Sequence, residues 1–208
     1  TYTQAGRGLV NLTSSPQKIY LRLADTSAAG AVRFDGNDGI WAAKSAWGML
    51  TNDRSVIIVA RVNNAVPQGF LFDSTSTTPG YTRALVLSNN WQVSTTSGLG
   101  TVTTNAITNA WQVHSFVIGT NSGAIQHFID GVQVGNVSIS SPSYLAGLMI
   151  GANVSQASGI NADVAECLVF NSALDVASRT NVEAYLTSKW AGVTADTNAP
   201  VPPSYLPF

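Results

Sequence analysis

The chain has 208 residues, 45% of them hydrophobic and only 10% charged, with ten Lys and Arg against eleven Asp and Glu for a net charge of −1. That length suits a single all-β domain with a sizeable core, and the scattered charges exclude the clustered Lys and Arg that a nucleic-acid backbone requires. No apolar run approaches the roughly 20 residues of a membrane span, and a single cysteine, Cys167, precludes an intrachain disulfide.

A surface so poor in charge is covered by Ser, Thr, Asn, Gln and Gly. It suits hydrogen bonding to sugars and equally suits packing within a larger assembly, where few charges need desolvating. Segments 8–12 and 17–23 read as strands, the second because Ile19, Leu21 and Leu23 alternate with polar or amphipathic neighbours. In 31–43, AVRFDGNDGIWAA, Val32 and Phe34 are expected in the core, Asp35 to Gly39 in a tight turn, and Ile40 and Trp41 on the return strand. Residues 46–50 have the composition of a short helical turn. The run SVIIVARV, 55–62, is the most β-prone in the chain and predicts a central strand covered on both faces.

Strands at 69–73 and 82–87 flank a loop of Ser, Thr, Pro79 and Gly80, and Asn89-Asn90 turns the chain into a strand at 91–94. Next come a strand within 109–118 and a hairpin within 123–137, with Asp130-Gly131 as its two-residue tip. One more strand is expected at 148–152. Residues 163–170 then carry Val164, Cys167, Leu168, Val169 and Phe170 with no Gly or Pro, which predicts a buried strand. The following helix has Asp175 as its N-cap, Val182, Tyr185, Leu186 and Trp190 along the side expected to be buried, and Arg179, Asn181, Glu183 and Ser188 on the polar side. After Gly192 the composition changes. Pro200, Pro202, Pro203 and Pro207 predict an extended tail, giving a domain over 1–192 and a tail over 193–208. Within it Tyr205, Leu206 and Phe208 are expected to dock on the parent domain or on a neighbour.

Three stretches resemble the laminin-G-like, concanavalin A-like jelly rolls. One is Asp163-Val164-Ala165-Glu166 with Leu168-Val169-Phe170, followed by Asn171, Ala173-Leu174-Asp175 and the helical Val182-Glu183-Ala184-Tyr185-Leu186. The others are the Arg33 to Ile40 hairpin and the Trp111 strand with its Asp130-Gly131-Val132 hairpin. The resemblance covers roughly 31–190 and implies an all-β, two-sheet antiparallel sandwich with one C-terminal α-helix. It specifies a fold and no ligand.

That family includes glycoside hydrolases and polysaccharide lyases. The hydrolase motif E-x-D-x-x-E, which supplies the attacking and proton-donating carboxylates, is missing. The nearest pair, Asp163 and Glu166, is three residues apart and is expected on opposite faces of a strand. Gln112-Val113-His114 matches the Q-[IV]-H motif of alginate lyases, but the R-[ST]-E-L and Y-F-K-x-G-x-Y motifs that complete that site do not occur. Gln112 and His114 therefore read as a polar strand face. His127 is spaced wrongly for a zinc pair with His114, and Cys167 sits among apolar residues where a thiol is inert. No catalytic residue is expected.

A structural calcium ion is the one cofactor the residues suggest, held by oxygens of Asp35, Asn37, Asp38 and Asp163. The plainer reading is that Asp35, Asn37 and Asp38 satisfy turn backbone through Asx bonds. For a glycan the pattern is an aromatic platform flanked by planar polar groups. Trp91 and Tyr81 lie beside Asp73, Arg83, Asn89 and Asn90, and Arg61, Gln112 and His114 are expected to share their sheet face. Core packing is the stronger reading for Trp91, and Trp111 and Trp190 also read as core. The expected function is a non-enzymatic surface recognition or structural module on a larger assembly, such as a phage virion or an extracellular adhesin. A stand-alone carbohydrate-binding module is the alternative, and a polysaccharide lyase comes third. The expected partners are other protein subunits or polysaccharide, with an extracellular or virion-surface location.

Overall fold

Val, Ile and Phe at alternating positions form two antiparallel sheets that bury their facing sides against each other. The computed structural model describes residues 10–11, 18–22, 31–36, 39–42, 49–51, 53–64, 67–74, 81–95, 98–106, 109–119, 123–138, 144–155 and 158–190. The first sheet contains β1 (Val10–Asn11), β2 (Lys18–Arg22), β3 (Val32–Asp35), β6 (Arg54–Val62), β11 (Gln112–Gly119), β12 (Ala124–Ile129), β13 (Val132–Ser138) and β16 (Asn161–Phe170). Its order is β1-β2-β16-β6-β11-β12-β13, with β3 also paired to β16. The second sheet is built from β4 (Ile40–Ala42), β7 (Gln68–Asp73), β8 (Thr82–Leu87), β9 (Asn90–Thr95), β10 (Gly98–Asn105) and β15 (Leu148–Ile150). Its order is β10-β9-β8-β7-β15-β4. A short pair, β5 (Met49–Leu50) with β14 (Leu145–Ala146), completes the described strands; Met49 and Leu50 are extended where the sequence suggested a helical turn over 46–50, of which 46–48 lie outside the described residues.

Between the sheets Phe34, Val56, Ile58, Ala60, Phe72, Val86, Trp91, Phe116, Ile125, Val164 and Cys167 form one core. A second cluster lies on the outer side of the first sheet, where Ile57, Val59, Val113, Ala165, Leu168 and Phe170 meet Leu186 and Trp190 of the helix α1 (Val176–Trp190). The central strand β6 thus feeds both clusters, as its unbroken apolar run predicts. Arg54, at the start of β6, ties the sheets together by donating to Thr82 Oγ1 over 2.6 Å. Burial draws its guanidinium down to about 10 against the opposing pull of Asp53.

Turn chemistry places the hairpins. Asp130 and Gly131 take φ of 49° and 82°, the two left-handed positions of the predicted tip. The β8–β9 turn falls on Ser88 and Asn89, one residue earlier than expected. At Gly151, φ is 90° and a Cβ would lie 2.2 Å from Phe34 Cδ1, so only glycine lets this turn approach the core.

Three expectations are corrected. The edge strand β10 was not foreseen, because Gly98, Gly100 and four Thr and Asn residues dilute its Leu99 and Val102. The helix is rotated from its expected orientation. Tyr185 is 57% exposed, while Arg179 and Glu183 are buried, because Arg179 donates to both Glu183 carboxylate oxygens at 2.6 Å and lies 3.7 Å from the Phe128 ring centre. Pairing neutralises the two charges, and the ring faces the cation, so the pair tolerates burial. The expected N-cap is present, with Asp175 Oδ1 accepting from the Ser178 N–H at 2.7 Å.

The third correction concerns β16. A bulge between Val164 and Glu166 adds one residue to the strand. Asp163 and Glu166 therefore share the outer face, and the opposite-face expectation fails.

Candidate functional site

The antiparallel order β3, β16, β6, β11 brings the end of β3, the start of β16, the end of β6 and the approach to β11 to one edge of the first sheet. Each of those chain ends carries a planar polar side chain. Asp35 ends β3, opposite Asn161 at the start of β16. Asn63 and Asn64 follow β6, and Asn109 precedes β11. Backbone bonds hold the ends in place: the Asn63 N–H donates to the Asn161 carbonyl at 3.0 Å, and the Asn109 N–H to the Val62 carbonyl at 3.2 Å. Together with Arg33 these residues line an open concavity of about 460 Å³.

Beneath it lies an ion network. Asp163 is opposite Arg33 on β3 and Arg61 on β6. Arg33 donates from Nε to Oδ1 at 2.7 Å and from Nη2 to Oδ2 at 3.2 Å. Arg61 donates from Nε and Nη2 to Oδ2, and the Asn63 amide adds a bond at 3.2 Å. Burial pushes the Asp163 carboxyl up, but the bonds from Arg33, Arg61 and Asn63 outweigh it and hold the group below the usual carboxylate range. The Arg61 guanidinium also lies 5.5 Å from the Trp111 ring centre, so a half-buried tryptophan borders the network. The lining amides, guanidinium and carboxylate offer both donors and acceptors beside this network. That arrangement can bind a hydroxyl-rich ligand by hydrogen bonds.

The expected site residues are scattered. Trp91 is 0% exposed and packs against His114 with ring centres 4.6 Å apart, so it presents no platform to a sugar. His114 and His127 are equally buried, and His114 Nδ1 lies 3.3 Å from His127 Nε2. Burial draws His114 down to about 3 and takes His127 well below its ordinary value, with the His114 charge adding to the second. Both rings are neutral at pH 7. Gln112 is opposite Ala60, whereas Arg61 is on the other face of β6, so the shared face expected for Arg61, Gln112 and His114 does not form.

Tyr81, Arg83 and Asp73 do come together, on the second sheet. The Arg83 guanidinium stacks 3.6 Å from the Tyr81 ring centre, and its Nε is 3.1 Å from Asp73 Oδ1, close enough for charge attraction but off line for a hydrogen bond. Asp73 is fully buried and accepts from the Ser74 and Val154 N–H groups. Burial pushes its carboxyl up and is only partly opposed by Arg83 and these bonds. Trp91 lies in the core between the sheets, so it cannot join this group.

Of the expected calcium ligands, Asp163 is committed to two guanidinium groups, which would repel a cation, and Asn37 and Asp38 lie outside the described residues. Among the described residues no group of three or more His, Cys, Asp or Glu is placed to hold a metal. The tail residues Tyr205, Leu206 and Phe208 also lie outside them. No described helix is long and apolar enough to cross a membrane. Sequence reasoning missed Arg33, Asn63, Asn64, Asn109 and Asn161. The available signal was an Asn at successive strand ends.

Neither a protein-family model nor a curated protein matches this chain. Solved structures do. The CBM40 domain of the Ruminococcus gnavus IT-sialidase superposes with a TM-score of 0.59 at 8% identity, over 74% of this chain and 96% of that one, and one such structure is bound to α2,3-sialyllactose. The NanB sialidase of Streptococcus pneumoniae gives 0.58 at 13% identity over 73% of this chain, which spans about a quarter (27%) of that enzyme. A structure of botulinum neurotoxin type C, whose cell entry depends on two ganglioside molecules, gives 0.54 at 11% identity over 85% of this chain and 41% of that one. The fold is a β-sandwich jelly roll. The finer laminin-G-like membership finds no matching family model.

Proposed function

We propose that the chain is a non-catalytic carbohydrate-binding module that takes a glycan at the polar edge of its first sheet. The observation that carries the reading is the concavity lined by Arg33, Asp35, Asn63, Asn64, Asn109 and Asn161, built on the Asp163 network. Planar amides and a guanidinium on rigid strand ends match the donor and acceptor pattern of sugar hydroxyls. The jelly roll is shared with a sialidase CBM40 domain seen with sialyllactose, which supports the reading.

The two carboxylates nearest to a hydrolase pair support a non-catalytic role. Asp163 is held by Arg33 and Arg61, and Glu166 accepts from Lys189 Nζ at 2.6 Å and from Trp190 Nε1 at 2.8 Å. A general acid must hold a proton near neutral pH, and Asp163 is shifted the opposite way. A role in a virion or adhesin leans on the low charge and on the 193–208 tail, which lies outside the described residues, so the carbohydrate reading stands ahead of it. Such a module would work outside a cell or on a virion surface.

The test is a glycan array followed by calorimetry on the best hit. Asn64→Ala, at an exposed position, should weaken binding about tenfold, the loss of one hydrogen bond of about 1.4 kcal/mol. Tyr81→Ala should leave affinity unchanged. The reverse pattern would move the site to the second sheet.

A further inference from the structure

We propose that the concavity at the ends of β3, β16 and β6 selects uncharged glycans over acidic ones. The inference rests on the carbohydrate-binding reading and concerns the same site. The Nε and Nη2 edge of an arginine is a fork that grips a carboxylate through two parallel bonds. In Arg33 and in Arg61 that fork is already turned inward onto Asp163. An acidic sugar that recruited either fork would take one of its two counter-ions from a side chain only 4% exposed.

The mouth adds a second obstacle. Asp35 is exposed on the rim and presents a negative charge to any incoming carboxylate. Arg33 and Arg61 against Asp35 and Asp163 leave a local formal charge of zero, so nothing in the set favours an anion over a neutral ligand. The remaining rim groups are the amides of Asn63, Asn64, Asn109 and Asn161. An amide both donates and accepts, as does a hydroxyl. A carboxylate only accepts, and it repels the amide carbonyls that a hydroxyl would satisfy.

The experiment is an array of matched pairs probed with the full chain, each neutral oligosaccharide printed beside its sialylated or uronate-bearing counterpart. The expected result is signal on neutral members that falls at least tenfold on their acidic counterparts. Asp35→Asn should narrow the gap by raising the acidic signals. Raising salt on the unaltered chain to about 0.5 M should narrow it as well, since charge repulsion at the rim is screened over a few ångströms. Equal or stronger acidic signals overturn the inference and leave the carbohydrate reading standing. No signal on either member of any pair, from a chain with intact β-sheet circular dichroism, overturns both.

Discussion

Asp163 and Glu166 lie on the same outer face of β16, because the bulge after Val164 inserts one residue between them. Asp163 turns to Arg61 and Arg33, while Glu166 reaches the helix at Lys189 and Trp190. Two carboxylates on one face would suit a hydrolytic pair. Here each is consumed by structure, one fixing the floor of the concavity and the other fastening the helix.

Removing the first carboxylate should therefore loosen the sheet edge. Asp163→Asn leaves Arg33 and Arg61 facing a neutral amide, and we expect a loss of roughly 2–3 kcal/mol in urea unfolding, moderated because Arg33 and Arg61 are partly solvated. A loss well under 1 kcal/mol would mean that the network is only a surface ion pair. The sign with pH follows from the lowered carboxyl. This contribution is complete above 3.8, the unfolded value, and disappears as pH falls through the lower folded one.

Glu166→Ala should detach the end of the helix. It leaves the Trp190 indole N–H buried without its acceptor, at about 1–3 kcal/mol, and Trp190 should become more exposed. Red-shifted tryptophan emission with little change in β-sheet signal is the expected readout, and unaltered emission would contradict it.

The buried histidines set an acid limit that begins earlier than that of Asp163. Their folded values lie below 6.5, so the unfolded chain takes up protons first and stability falls as pH drops below that value. Between pH 6.5 and pH 5 His114 should cost about 2 kcal/mol, and His127 adds to the fall in the same direction. His114 Nε2 and His127 Nδ1 have no hydrogen-bond partner, so a His114→Leu, His127→Leu double variant should keep its stability at pH 7 and lose much of this slope. A double variant as acid-sensitive as the parent would refute the assignment.

Gly151→Ala should cost about 3 kcal/mol or more. It combines a positive φ with a methyl driven into the Phe34 ring, and melting temperature should drop accordingly.

Much of the fold was legible in residues. Val32 and Phe34, the 55–62 run, the Asp130-Gly131 tip and the Asp175 cap each obey local rules that depend on a few neighbours. The failures that bear on the site come from side-chain facing, which pairing between distant strands sets. Alternation says that Trp91 points opposite to its neighbours, but only the pairing of β9 with β8 says that its side is the core. The bulge in β16 changes side-chain parity without any Gly or Pro to announce it. The candidate site was hidden for the same reason: Asn63, Asn109 and Asn161 are far apart in sequence and become neighbours only when β16, β6 and β11 are set in order.

The most direct test of the carbohydrate site is a ¹⁵N–¹H correlation spectrum of the side-chain amides during titration with the best array hit. Shifts concentrated in Asn63, Asn64, Asn109 and Asn161 are the predicted result. Shifts centred on backbone amides around Tyr81 and Arg83, with those four asparagines unmoved, would contradict it.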